Sequence, residues 1–505
     1  MNNSTASCLI GIFVLYAAAT HAQLRGSVEK YVGERQPEIL GELVSLLSLP
    51  NVAADRANIR RNAELLRDML ARRGFAAEIL ETEVNPLVYG ELKVEGARRT
   101  LLLYAHYDGQ PFDAPLWKQQ SPFHPVLRDG RLEDGGRELP NFLSMRKYPP
   151  EARLYARSAS DDKSPIVAML TALDALRAAG RRPTSNLRVI LDGEEEAGSR
   201  GLVASIGKYR EKLRADLMLI LDGPLHPSGR PTLTFGARGN LRVDLTVFGP
   251  KFALHSGHYG NWAPNPAMDL AQLLASMKDR EGRVVIEGFY DDVPPLAPQV
   301  QRVLEAVPDD PEGLMKLFGI ARTEQVGRSL QEALQYPSLN IRGLRSAYVG
   351  AEARTIIPAT ATAAIDIRLV KETDPDRMAE RVLTHIRKQG FHVIEQEPDD
   401  ATRALYPRIV RVVRRRATKA YRTEMDLPES QLITEVLERV WGATPVRLRT
   451  SGGTVPISPF IEALGFPAIG APTVNFDNHQ HSENENLRLG HFWKAIVTFA
   501  AVLTM

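Results

Sequence analysis

Residues 100–106 read TLLLYAH, an apolar run of strand length that stops on a histidine. Further along, SPIVAMLTALDALRAAG (164–180) has the periodicity of a helix, whereas LRVILDGEEE (187–196) and DLMLILDG (216–223) return to strand length. Strand and helix in alternation predict an α/β fold, a mostly parallel sheet covered by helices on both faces. Ligands of such sheets gather beyond the carboxyl ends of the strands. These runs finish on residues able to bind a metal: His106, the glutamates after VILDG, and Asp222. Upstream, segments 27–48 and 56–73 carry apolar faces at helical spacing, the second with a glycine stop.

At 505 residues the chain is too long for one ordinary core, so more than one domain is expected. With 44% apolar and 25% charged residues and a formal net charge of +2, it has neither a nucleic-acid footprint nor an acidic tail. Basic residues do concentrate in RIVRVVRRRATKAYR (408–422), which reads as the solvated face of a helix. The amino-terminal CLIGIFVLYAAATHA is apolar and ends in small residues. It reads as a signal peptide over 1–22 cleaved after Ala22, hence a secreted or periplasmic protein with no membrane association in the mature form. A spanning helix would need ~20 apolar residues. The single cysteine, Cys8, lies inside that segment, so any metal site in the mature chain must use His, Asp and Glu.

From about residue 238 the pattern changes. NLRVDLTVFGP, a helix at AMDLAQLLASMKD, strand-like segments at 339–349 and 362–370 and a helix at 377–389 suit a small α+β unit, a sheet with helices on one face. If the histidine-rich NHQHSENE near the far end of the chain joins the site built by the amino-terminal segment, the middle unit is an insertion. The catalytic domain is then discontinuous, its first segment over 23–237 and its second over 399–505, with the inserted unit over 238–398 between them.

The acidic motifs carry the chemistry. In HYD (106–108), His106 is a candidate ligand, and Asp108, on the same side of an extended chain, can bind its second ring nitrogen. In SASDDKSP (158–165) one aspartate can bridge two ions, although either Asp161 or Asp162 could equally cap the helix that follows. Adjacent glutamates in GEEEAGS (193–199) repel one another unless a cation lies between them, and one can act as general base beside another that binds metal. Taken alone, that motif reads equally well as a solvated acidic turn before a helix. His481 and His479 are not separable by spacing. Each signal is modest, and their occurrence together in order points to a pair of metal ions.

The motifs HYDGQP, ARSASDDKSP, DGEEEAGSRGL, LDGP, LHSGHYGNWAPNPA, TIIPATATAAIDIRLV, SGGTVPI and HSENENL resemble those of the dinuclear-zinc metallopeptidases that include carnosinase, glutamate carboxypeptidase and aminoacylase. The carnosinase-like dipeptidase branch is the nearest, and the likeness spans nearly the whole mature chain. The resemblance implies a zinc-exopeptidase-like catalytic domain with an inserted lid that also forms a homodimer. It implies two Zn2+ per subunit, with Mn2+ or Co2+ as alternatives. His106 and Glu196 would each bind one ion, Asp161 both, with Asp222 and His481 completing the set and Glu195 as general base. His255 would reach a neighbouring subunit's site to stabilise the oxyanion, and Arg368 would grip a substrate carboxylate. Gly453, Thr454 and, more weakly, Thr355 would contact substrate. Ser164, Thr454 and Ser451 depart from the pattern, the first standing for a glycine, the second for a serine and the third for an acid. The implied reaction is hydrolysis of a peptide bond beside a free C-terminal carboxylate by a water bridging two zinc ions. The rival is removal of an acyl group from N-acyl amino acids at the same site. A non-catalytic binding protein would have lost a ligand or the base, and every position is filled.

Overall fold

The computed structural model describes the backbone of residues 4–505 and the side chains of residues 23–505. The leader expected over 1–22 lies outside the residues whose side chains are described. Two compact units emerge: the first comprises Met1–Gly236, Thr423–Arg449 and Pro459–Met505, the second Ala237–Arg422 and Thr450–Ser458.

The first unit is built on an eight-stranded mixed sheet. Its strands run in the order Ala76–Leu80, Leu87–Leu92, Asn186–Asp192, Thr100–His106, Leu217–Ile220, Ala468–Gly470, Thr232–Thr234 and Val446–Leu448. Thr100–His106 is parallel to both of its neighbours, whereas Ala76–Leu80 and Leu87–Leu92 add antiparallel pairing at one edge. Leu101 to Ala105 are all buried, as expected for a strand covered on both faces. The helix Lys163–Ala178 packs on the helices Ser4–Leu47 and Leu489–Leu503. Its residues from Lys163 to Leu173 are buried without interruption. The helix Ser4–Leu47 bends at Arg35 (φ −128°, ψ 18°), where Pro37 removes an amide donor and crowds the preceding turn. Among the described residues no helix is long and apolar enough to cross a membrane.

The second unit holds a five-stranded sheet in the order Ser338–Ser346, Thr360–Leu369, Gly239–Phe248, Ile409–Arg414 and His392–Ile394. Thr360–Leu369 alternates buried and half-buried residues. Its inward set, Ile365 and Ile367 among them, packs with Leu270 and Leu273 of the helix Pro266–Ala275 and with Met378 and Val382 of the helix Pro375–Lys388. The outward set includes Asp366 and Arg368. The basic run 408–422, expected as a helix face, instead contributes the strand Ile409–Arg414, antiparallel to Gly239–Phe248. Pairing with that long strand overrides the local pattern, and the unit therefore extends past residue 398 to Arg422.

Candidate active site

The strand Thr100–His106 sets His106 level with Asp192 of the adjacent strand, at the carboxyl end of the sheet. His106 is wholly buried. Its Nδ1 faces Asp108, 3.2 Å from the carbonyl oxygen and 3.3 Å from Oδ1. Both neighbours only accept, so Nδ1 carries a proton. Nε2 lies 2.8 Å from Oδ1 of Asp161. The carboxylate of Asp108 also accepts the amides of Glu195 and Glu196, each at 3.0 Å. It thus fixes the turn Glu195–Ala197 beside His106. Gly193 permits that turn, because a Cβ there would lie 2.5 Å from the Tyr107 hydroxyl.

Asp161 and Asp162 precede the helix Lys163–Ala178. Asp162 occupies the cap position but makes no capping bond with its side chain. It accepts the His106 amide at 3.2 Å through Oδ2, and its Oδ1 has no hydrogen-bond partner. Asp161 points the other way. Its Oδ2 lies 3.1 Å from Nε2 of His481, which is in turn 3.4 Å from Oε2 of Glu196. Two sets of converging donor atoms result, His106–Asp161–Asp222 and Asp161–Glu196–His481, and Asp161 belongs to both. His479 turns elsewhere, to Glu133 at 3.4 Å. The loop that makes this distinction holds His479, His481 and Asn484 at φ of 57°, 62° and 61°. Non-glycine residues rarely occupy that left-handed region, and they do so where surrounding structure over-determines them.

Charge explains what the cluster needs. Burial pushes the Glu196 carboxyl up to about 8 and that of Asp222 up to about 6, with Asp161 adding to both. Burial also raises Glu195 well above the carboxylate range, aided by Asp222 and Glu196. Asp161 is held low: burial opposes this, but hydrogen bonds from His106 and His481 outweigh it. The bond to Asp161 lifts His481 to about 9. Burial works to lower His106, but bonds to Asp108 and Asp161 prevail and raise it. The carboxylates of Asp161, Glu195, Glu196 and Asp222 thus crowd around two imidazoles, a surplus of buried negative charge. The donor atoms are imidazole nitrogens and carboxylate oxygens, a set that suits zinc and similar divalent ions.

The other expected residues lie in the second unit. Arg368 donates from Nη1 to the Thr454 hydroxyl at 2.7 Å and from Nε to Asp366 at 2.9 Å. The Gly453 carbonyl accepts the Arg238 amide at 3.0 Å. His255 and Thr355 are exposed beside the short pairing of Leu254–His255 with Ile356–Ile357, and the Thr355 carbonyl accepts the Ser256 amide at 3.0 Å.

Three further residues touch the site. Gln110 donates to Oε2 of Glu196 at 2.5 Å. Asp162 abuts the cluster, and Glu485 grips the Asp161 loop through backbone amides. All three lie inside quoted motifs, HYDGQP, ARSASDDKSP and HSENENL, but the motifs do not tell which of their residues reach the cluster.

Residues 139–505 match Peptidase family M20/M25/M40. The chain is 26% identical over 486 residues to the Cys-Gly metallodipeptidase dug1 of Schizosaccharomyces pombe (strain 972 / ATCC 24843), covering 93% of this chain and 95% of that protein. It is 26% identical over 428 residues to the Beta-Ala-His dipeptidase of Homo sapiens, covering 83% and 77%. The crystal structure of the M20 family metallo-carboxypeptidase Sso-CP2 from Sulfolobus solfataricus superposes with a TM-score of 0.75 at 30% identity, covering 92% of this chain and 98% of that one. The expected secreted or periplasmic location is overturned by the likeness to the Cys-Gly metallodipeptidases of yeasts. Fold, acidic cluster and relatives agree on one assignment: this chain belongs to Peptidase family M20/M25/M40, a family of metallopeptidases.

Proposed function

We propose that this chain is a dipeptidase that cleaves the amide bond of dipeptides and short peptides beside a free C-terminal carboxylate, with divalent metal ions held in the two donor sets. The observation that carries this reading is the double membership of Asp161, whose oxygens face His106 and His481 separately. His106 and Asp222 would hold one ion, Glu196 and His481 the other, and Asp161 both. Zinc is the assigned ion, with manganese and cobalt as alternatives, and two per subunit the assigned number. Bound there, such ions polarise the scissile carbonyl and activate a water as nucleophile.

The chain's own groups supply the rest. Hydrolysis needs a base to take a proton from the attacking water and an acid to protonate the departing amine. Glu195 is assigned both tasks, since Asp108 holds its backbone at the edge of the cluster. Asp108 also fixes the proton of His106 on Nδ1, leaving Nε2 for the site. Arg368, steadied by Asp366 and Thr454, is assigned the substrate carboxylate, with Gly453 and Thr355 as further contacts.

We further assign the inserted unit as lid and dimerisation surface, with His255 stabilising the oxyanion in a partner subunit's site. Support comes from the surroundings of His255. It is exposed next to Tyr259 and Trp262, the latter 81% exposed, an apolar surface that a second copy would cover.

The names of the relatives favour dipeptides over N-acyl amino acids. The test is mass-spectrometric turnover of mixed dipeptides and N-acyl amino acids by the full chain, with chelator and with zinc restored. Chelator-sensitive release of amino acids from dipeptides is expected. Release of acyl groups alone would move the substrate class to the rival, and turnover that ignores the chelator would end the metal reading.

A further inference from the structure

Glu485 follows His481 in the same loop and is buried to 1% exposure, opposite Arg157 at 2%. Every acceptor direction of its carboxylate is used. Oε1 accepts the amides of Ser160 and Asp161, both at 2.9 Å. Oε2 accepts the Ser158 amide at 2.9 Å and Nη1 of Arg157 at 3.0 Å. Arg157 extends the same knot. It donates to the carbonyls of Ser482 at 3.1 Å and Pro111 at 3.4 Å, and its guanidinium lies 5.2 Å from the Trp117 ring. The loops that carry His106, Asp161 and His481 therefore meet on one buried ion pair.

We propose that Glu485 is a positioning residue that sets the metal affinity of the site by holding Asp161 and His481 in register. This rests on the metal reading above. A buried ion pair is a weak source of stability, because desolvation offsets much of its attraction. What it supplies here is direction. Three amides from one turn, including that of Asp161 itself, converge on a carboxylate delivered by the loop of the other ligand. Ser158, at φ 61°, is the residue that bends the turn toward Glu485. An apolar contact would join the two loops without fixing the angle at which Asp161 leaves the backbone. Groups that orient metal ligands are worth about 10–100-fold in affinity.

The test is calorimetric titration of the metal-free full chain with Zn2+, alongside thermal unfolding without metal. In Glu485→Gln one pair of donors faces an amide N–H in place of an oxygen. Glu485→Asp keeps the charge but is too short to reach both pairs. Arg157→Met/Glu485→Gln removes the guanidinium that the single change leaves unpaired, protecting the fold. Each variant that keeps the wild-type circular dichroism is expected to bind Zn2+ about 10–100-fold more weakly. Leu437→Ala, a cavity in the core of the same unit, is expected to lower thermal stability and keep wild-type affinity. Wild-type affinity in folded Glu485→Asp or in the double variant would overturn the proposal, as would an equal loss in Leu437→Ala. A wild-type chain that binds no Zn2+, Mn2+ or Co2+ would instead overturn the metal centre, and this proposal with it.

Discussion

Nε2 of His481 lies 3.1 Å from Oδ2 of Asp161, joining a residue from late in the chain to one from the first third. Since Asp161 also serves the set containing His106 and Asp222, the two donor sets are unequal in their dependence on His481. His481→Ala leaves the first set whole. On the proposed assignment, metal analysis is expected to find one equivalent in the purified variant against two in wild type, with kcat lowered by roughly 100-fold or more, the order seen when a group acting in the transition state is lost. Two equivalents in the variant would remove His481 from the ligands.

Placing His255 in a neighbouring subunit's site makes complementation the natural check. Glu195→Gln and His255→Ala are each expected to lose activity by roughly 10²–10⁴-fold, Glu195→Gln with its metal retained. On the proposed dimer, co-refolding them would give mixed dimers in which one site has both Glu195 and a His255 from the other chain. Activity should return on mixing. If it does not, while sedimentation shows mixed dimers, His255 acts within its own subunit or not at all.

Arg368 offers a reading on the carboxylate. Removing a hydrogen bond to a charged group costs about 1.5–3 kcal/mol, so Arg368→Met should lower kcat/KM on free dipeptides by about 10–100-fold. Turnover of dipeptide amides, which lack that negative charge, should be little changed by the substitution. Arg368→Lys should recover only a fraction of the loss, since an ammonium lacks the planar fork. Equal losses on both substrates would assign Arg368 to the architecture of its sheet.

Stability should fall on mild acidification through His491. Burial, then the nearby Arg488 and Lys494, depress this imidazole to about 4, and its Nδ1 has no hydrogen-bond partner. The unfolded chain takes up its proton near ~6.5. Between those values the unfolded state binds more protons, so stability present at neutral pH is lost as pH falls from about 6.5 to 4. The effect is on the order of 3 kcal/mol in total. Denaturant midpoints across that range should drop less steeply for His491→Gln than for wild type. Parallel curves would show that His491 does not carry the effect.

How much of this was legible depends on what leaves a trace in side chains. The central strand was plain because Leu101 to Ala105 are apolar without a break, and only a strand covered on both faces tolerates that. The run at 408–422 misled because its arginines dominate the composition. Val410 and Val412 pack on the core of the second unit while Arg411 and Val413 line the opposite face, so the period was two, obscured by charge. His479 and His481 both adopt left-handed backbone, and only the folded loop sends one to Glu133 and the other to Asp161. Glu485 lies inside HSENENL, but its role there is hidden for a different reason. Its partners are mostly backbone amides, which every residue has and no motif displays.

The first unit is assembled from three stretches of chain, with most of the second unit made between them. A ribosome therefore releases His106, Asp161, Glu196 and Asp222 first, and at roughly 5–20 residues per second His481 and Glu485 follow on the order of tens of seconds later. On the proposed assignment, the nascent chain offers one complete donor set and one lacking its histidine. Loading is then sequential by birth order. An ion captured early waits for its companion until the closing loop arrives, and chains stalled before residue 481 should purify with a single ion.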